Sequence, residues 1–146
     1  MNRKDRFYYG LIAGLIAGIV QNMVNLLFFY LNITKLRYVD WVAIMTYGHE
    51  PVTILDGFFA LVVQLGLNGV LGVVFAYLLP ILGFEHYLLK GMVFGVGFYQ
   101  FNSFITNLYH MPGLTQTETY TAISNTVTSA IFGILLAILT KKLVYE

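Results

Sequence analysis

Four long apolar stretches constrain the fold of this chain more than any other feature. They run from about Phe7 to Leu31, from Ile54 to Leu82, from Tyr87 to Tyr109 and from Tyr120 to Leu139. A hydrocarbon core about 30 Å thick is crossed by roughly 20 apolar helical residues, so each stretch is long enough to span a bilayer. Backbone polar groups in lipid must bond within their own segment, which makes each stretch an α-helix. The sequence therefore predicts four transmembrane helices.

Composition identifies lipid as the solvent for these helices. Apolar residues make up 58% of the 146 residues and charged residues only 10%, whereas soluble domains carry about 25% charged residues. A chain this short cannot bury so much apolar surface in a water-facing globule, because small domains are mostly surface. We predict one domain, residues 1–146, with an all-α integral membrane fold: a four-transmembrane-helix bundle in the lipid bilayer. A net charge of +1 gives no reason to expect a nucleic-acid partner.

The basic residues predict the orientation of the bundle. Across four crossings, six of them fall on one side: Arg3, Lys4, Arg6, Lys90, Lys141 and Lys142. Lys35 and Arg37 fall on the other side. Because cytoplasmic loops carry the excess of lysine and arginine, we predict a multi-pass protein with both termini in the cytoplasm. The opposite side is called the outer side below.

A short interfacial amphipathic helix is predicted between the first two crossings, in the outer loop from Asn32 to Pro51. Four apolar residues recur there at helical spacing: Leu36, Val39, Ala43 and Tyr47. Arg37 and Asp40 lie off that face, which is typical of a helix lying in the membrane interface. Pro51 is expected to begin the second membrane helix, where a missing N–H costs nothing. Asp56 is expected near the positive end of that helix.

Glycines form rows at the spacing of one helix face. The first helix carries Gly10, Gly14 and Gly18, the second Gly66, Gly69 and Gly72, and the third Gly91 and Gly95. Such rows of small residues let two helix backbones approach closely in a membrane. Two interpretations follow: close packing of helices within one bundle, or a seam between two copies of the chain.

Polar residues inside the helices are the candidates for function. Most of them lie in the outer half of the predicted bundle, while the inner half is almost purely apolar or glycine. On the third helix, one continuous stripe is formed by Gln100, Ser103, Asn107 and His110. An unbonded amide in hydrocarbon costs several kcal/mol, so these faces are expected to turn inward or toward water. The candidate ligand-binding residues are Asn22, Asn25, Gln64, Asn68, Gln100, Ser103, Asn107, His110, Asn125 and Thr128.

Two interpretations of this polar cluster are open. It is either an interhelical hydrogen-bond network that stabilises the bundle or a hydrated pocket that opens to the outer side. The pocket predicts a small membrane protein that binds or transports a small polar or amphiphilic ligand. The network predicts a non-catalytic scaffold or an accessory subunit of a larger membrane complex. A full pore is expected to require a homo-oligomer, because one chain of this size is too small to enclose it.

No residue pattern predicts catalysis. The chain has no cysteine, no serine–histidine–acid arrangement and no phosphate-binding loop. On the outer side, a divalent metal could be held by His49, Glu50, His110 and Glu118. These residues lack the close spacing of an established metal motif. We therefore expect no enzyme activity, no bound metal and no cofactor.

The order of the glycine motifs resembles a known family. The motifs are Tyr9–Gly18 in the first helix, Lys90–Gly95 at the start of the third, Pro112–Leu114 after it, and the polar start of the fourth helix. Together they resemble the YagU-like proteins, small uncharacterised proteins of the bacterial inner membrane, and the YqhR-like membrane proteins have a comparable layout. The resemblance implies a location in the inner (cytoplasmic) membrane and a link to acid resistance, with no catalytic residues to carry over. The lack of charged residues within the helices argues against a proton relay.

Overall fold

The computed structural model describes residues 4–112, 114 and 118–146. These residues form five α-helices: α1 (Arg6–Tyr30), α2 (Tyr38–Tyr47), α3 (Ile54–Leu82), α4 (Tyr87–Leu108) and α5 (Thr119–Thr140), the last extended by one π-helical turn (Lys141–Tyr145). Each of the four long helices agrees with its predicted range to within one residue at either end. Arg3 and Gly113, used above for the orientation and for the family resemblance, lie outside the described residues.

Within the described part of the chain, three helices are long and apolar enough to cross a membrane: α1, α3, and α5 together with its π-helical turn. The chain is therefore a helical membrane protein, as its composition predicts. α4 has 22 residues, which is sufficient length for a crossing. Its mean hydropathy is lowered by its polar residues, chiefly Lys90, Gln100, Asn102 and Asn107. The fourth predicted crossing thus differs from the other three in composition rather than in length.

Glycine brings α1 and α3 into direct backbone contact, in antiparallel orientation. Gly10 lies against the backbone of Gly72, and Gly14 lies against the backbone of Asn68. A methyl group on Gly14 would overlap the Asn68 carbonyl oxygen. This row therefore serves packing within one chain, which confirms the first of the two interpretations. Gly66 is an exception, because no described atom lies within 4 Å of a methyl group built on it.

The four long helices form an open arc in the order α3, α1, α5, α4. α4 runs antiparallel along α5, with Gly91 against Gly133 and Gly95 against Ser129. α1 packs on α5 and joins this pair of helices to α3. α3 and α4 lie at the two ends of the arc and lack the extensive backbone contact that joins the other neighbours. A gap is therefore left between α3 and α4.

Tyr145 closes the inner end of the bundle. Pro80 lies inside α3 and has no N–H, so the carbonyl oxygen of Ala76, four residues earlier, loses its helical partner. The Tyr145 hydroxyl donates to that oxygen. The Tyr145 ring packs against the Phe84 ring, with centroids 4.9 Å apart, and the Arg6 guanidinium lies 5.6 Å from its centroid. The π-helical turn thereby satisfies the backbone group that proline leaves unpaired.

The short helix α2 is present in the predicted loop, but two details of the prediction are wrong. Asp40 is buried rather than on a solvent face, because it accepts two hydrogen bonds from the Arg37 side chain and one from its backbone N–H. Pro51 does not begin α3. That helix begins at Ile54, after an N-cap at Thr53 that exchanges hydrogen bonds with Asp56, since a reciprocal cap fixes a helix start more firmly than proline does.

The two glycines at positions 66 and 72 of α3 provide a matched test of this packing. Gly72→Ala should lower the free energy of unfolding by about 1–3 kcal/mol, because the new methyl group would overlap the backbone of Gly10 and Gly14. Gly66→Ala should leave stability unchanged or raise it by up to about 1 kcal/mol, because alanine favours the helix. Unfolding in mixed micelles, followed by circular dichroism, measures both. Equal effects at the two positions would contradict the glycine contact.

Candidate functional site

Tyr38 anchors the start of α2 deep in the bundle. Its backbone N–H donates to Asn25 Oδ1 at 3.0 Å, and its hydroxyl donates to the Asn125 carbonyl oxygen at 2.8 Å. The same hydroxyl lies 2.6 Å from Ser129 Oγ, near the middle of α5. Burial raises the pKa of Tyr38 above its usual value, so the hydroxyl keeps its proton as a donor. α2 is thereby held over the outer end of the arc.

A buried hydrogen-bond network surrounds this anchor. Asn25 Nδ2 donates to Asn125 Oδ1 at 3.2 Å. The hydroxyls of Thr34 and Ser124 bond to each other, and the Thr128 hydroxyl donates to the Ser124 carbonyl oxygen at 2.7 Å. Three of the candidate residues therefore bond to protein groups: Asn25, Asn125 and Thr128. For these three, the geometry agrees with the network interpretation.

A cavity of about 270 Å³ occupies the gap between α3 and α4. α1 and α5 form its back wall, and α2 covers its outer end. Its polar side chains are Gln21, Gln64, Asn68, Asn102 and Ser129, and its apolar and aromatic lining includes Tyr38, Trp41, Leu67, Leu71, Phe98, Tyr99 and Phe132. We refer to this space as the α3–α4 cleft. Two of the ten candidate residues, Gln64 and Asn68, line it.

The polar end of the cleft contains an unpaired amide. Asn68 Nδ2 donates to Gln21 Oε1 at 3.2 Å. Gln64 is only 5% exposed, and its Oε1 has no hydrogen-bond partner among the described residues. Leaving a buried acceptor unpaired costs about 1–3 kcal/mol, and most buried polar groups in proteins are paired. Gln64 is therefore the residue of the cleft that most clearly requires a further hydrogen-bond donor.

Aromatic contacts close the cleft at both ends of the membrane axis. On the outer side, the ring centroids of Trp41 and Tyr99 lie 6.1 Å apart. On the inner side, the rings of Phe75 and Phe94 lie 5.2 Å apart. The partly exposed residues of its lining are Met45, Leu67 and Phe98, from α2, α3 and α4. The exposed part of the lining therefore lies on the three helices that border the gap. The predicted opening to the outer side stays a prediction.

The polar stripe on α4 does not face the bundle. Gln100, Asn107 and His110 are exposed, and Ser103 is half-buried. The prediction that the stripe lines an inward cavity is wrong, because a different face of α4 points inward. That face carries the buried residues of the helix: Gly91, Gly95, Tyr99 and Thr106. The close contact of the two glycines with α5 sets the rotation of α4. The stripe lies outside that contact.

The remaining candidate, Asn22, lies on the other side of α1. It is buried and donates to the Gly18 carbonyl oxygen at 3.0 Å. It lines a second, more open groove of about 740 Å³ between α1, α2 and α3, which also contains Arg37. The hydrogen bond of Arg37 to Asp40 raises the pKa of Arg37 above its usual value. This groove therefore holds an ion pair rather than a free cation.

Three important residues of the cleft were missed at the sequence level: Tyr38, Trp41 and Asn102. The first two lie in the loop that was expected to stay in the interface. Asn102 lies seven residues after Gly95, and therefore on the same helix face as a glycine in close contact with α5. This spacing is the one sequence signal that could have indicated that Asn102 faces inward while the stripe with Gln100 faces outward.

The outer acidic and histidine residues do not converge on one point. Lys35 Nζ lies 2.6 Å from Glu118 Oε1, so this carboxylate is engaged in an ion pair. His49 Nδ1 lies 2.7 Å from the Glu50 carbonyl oxygen. Among residues 4–112, 114 and 118–146, no group of three or more histidine, aspartate or glutamate side chains is arranged to hold a metal ion.

No family model, no curated protein and no solved structure matches this chain. The resemblance to the YagU-like proteins therefore stays a prediction. The class of protein is defined by the fold alone: a helical membrane protein with a cleft between α3 and α4.

Removing Asn25 tests whether the network is structural. Asn25→Ala should lower the free energy of unfolding by about 1–3 kcal/mol, because the Tyr38 N–H and the Asn125 amide both lose a buried partner. Thr46→Ala, at an exposed position of α2, should change it by no more than about 0.5 kcal/mol. Unfolding in mixed micelles compares the two. A loss at position 25 no larger than at position 46 would mean that water already satisfies these groups.

Proposed function

We propose that α4 is the fourth membrane crossing and that the chain is a four-helix bundle. α4 lies antiparallel along α5, with glycine contacts at both Gly91 and Gly95. α4 and α5 have 22 residues each. Helices of equal length that pack side by side span the same depth of the bilayer. The basic residues support the cytoplasmic location of both termini, and the family resemblance supports the inner membrane.

We further propose that this protein binds an amphiphilic molecule that enters the α3–α4 cleft sideways from the bilayer. The observation that carries this function is the unpaired Gln64 Oε1 inside a cleft whose lining is mostly apolar and aromatic. A hydroxyl or amide N–H on the ligand would donate to this oxygen. The free energy gained is that of one net buried hydrogen bond, about 0.5–1.5 kcal/mol.

The lining of the cleft favours an uncharged headgroup joined to an apolar chain. The polar side chains near Gln64 are neutral: Gln21, Asn68 and Asn102 are amides, and none of the described residues that line the cleft is charged. Leu67, Leu71, Phe98 and Phe132 provide an apolar surface for a hydrocarbon tail. Ligand pockets commonly combine such an apolar wall with a few converging polar groups. The proposed role is binding without catalysis.

A second function, as a scaffold or accessory subunit, is favoured by a different observation. The amides of Asn25 and Asn125 bond to each other, and the α4 stripe points outward toward whatever surrounds the bundle. This function needs no ligand in the cleft. The two functions are therefore separated by a direct binding measurement.

The single tryptophan of the chain, Trp41, reports on the cleft because it lines it and is 7% exposed. Protein in lipid nanodiscs is titrated with a long-chain alcohol that carries two bromines on its tail, and with the matching dibromoalkane. The alcohol should quench Trp41 emission at a lower concentration, because only the alcohol can donate to Gln64. Gln64→Leu should weaken quenching by the alcohol roughly threefold to tenfold, the value of one net hydrogen bond.

Asn22→Leu serves as the control, because it removes a buried amide that lies outside the cleft. It should leave both titrations unchanged. Equal quenching by the alcohol and the alkane, unaffected by Gln64→Leu, would contradict the binding function and favour the scaffold.

A further inference from the structure

The face of α4 that points away from the bundle carries a regular row of exposed residues. The row consists of Val93, Gly97, Gln100, Phe104 and Asn107, at alternating steps of four and three residues. No described atom lies within 4 Å of a methyl group built on Gly97. This alternation is the spacing at which one helix packs against a parallel partner in a left-handed coiled coil. We refer to these five residues as the α4 seam.

The Gln100 amide of the seam lies at a depth where lipid cannot satisfy it. Gln100 lies eight residues before the end of α4 at Leu108, which is about 12 Å along the helix axis. If α4 crosses the bilayer, as proposed above, the Gln100 side chain lies within hydrocarbon. An amide without partners is strongly unfavourable there. Some other surface must therefore cover this face.

We propose that the α4 seam packs against the α4 seam of a second copy of this chain, in a parallel homodimer. All copies of a membrane protein share one orientation. A twofold axis along the membrane normal therefore places each seam residue beside the same residue of the second copy, at the same depth. An amide both donates and accepts. Gln100 and Asn107 can therefore each pair with their own counterparts, and the hydrogen bonding of the seam is complementary to itself.

The other seam residues fit the same contact. Gly97 lies about one turn to the inner side of Gln100 and lets the two backbones approach, as small residues do between membrane helices. Val93 and Phe104, which are 61% and 70% exposed in the single chain, would lose that exposure. The seam differs from the packed glycine rows at Gly14 and Gly91, which are already in contact with helices of their own chain.

The dimer rests on the proposed fourth crossing but not on any ligand in the cleft. The cleft is lined by a different set of α4 residues: Gly95, Phe98, Tyr99 and Asn102. Dimerisation on the seam therefore leaves the lateral opening free. Loss of the dimer and loss of ligand binding can be measured separately.

Because the chain has no cysteine, single cysteines report on the seam directly. In vesicles at a low protein-to-lipid ratio, oxygen with a copper–phenanthroline catalyst should join Gly97→Cys and Gln100→Cys into disulfide-linked dimers. The controls are Phe98→Cys, on the cleft side of α4, and Val70→Cys, on an exposed face of α3. Neither should form a disulfide-linked dimer. Cross-linking at all four positions alike would indicate random collision and overturn the dimer.

Energy transfer between differently labelled copies, measured at increasing lipid dilution, gives the dissociation constant of the dimer. Replacing both amides, Gln100→Leu with Asn107→Leu, should raise this dissociation constant about tenfold. Two average interhelical hydrogen bonds together contribute about the free energy of a tenfold change in affinity. Val70→Leu should leave it unchanged. A monomer at every dilution, or a constant unaffected by the double substitution, would contradict the seam. The Trp41 titration on the same samples tests the cleft independently.

Discussion

Direct contact between helix backbones at glycine is the constraint on which the rest of the structure depends. Hydrocarbon gives helices no hydrophobic reason to associate, so close packing and hydrogen bonds must hold a membrane bundle together. Gly14 against Asn68 fixes α1 on α3, and Gly91 against Gly133 fixes α4 on α5. These contacts fix how each helix is rotated. They also leave α3 and α4 apart, because each is already bound on its other side.

The gap left by this arrangement explains why the outer loop folds inward. α2 brings Tyr38 to Asn125 and Ser129, and the amide of Asn25 satisfies its backbone N–H. The clustering of polar residues in the outer half of the membrane therefore has two causes. One set of amides holds α2 in place. The other set, around Gln64, lies in the cleft that α2 covers.

The sequence predicts the ranges of the long helices well because apolar residues dominate each of them and short polar or glycine-containing segments separate them. It predicts the polar residues but not their partners. Gln100 and Asn102 are two residues apart and equally polar, yet one faces outward and the other lines the cleft. What separates them is the rotation of α4, which the contact of Gly95 with Ser129 sets across two different helices. The spacing from Gly95 to Asn102 places the two on one helix face, but only the contact with α5 shows that this face is turned inward. For the same reason, the insertion of Tyr38 could not be read from the spacing of apolar residues in α2.

The central claim is that the cavity opens to the bilayer and not to water on the outer side. A nitroxide attached at Asn102→Cys, in the cleft, tests it in reconstituted vesicles by power-saturation spectroscopy. The account predicts ready collision with oxygen, which concentrates in lipid, and little collision with a water-soluble nickel chelate. Ready collision with the nickel chelate and little with oxygen would instead indicate a hydrated pocket open to the outer side, and would contradict the lateral cleft.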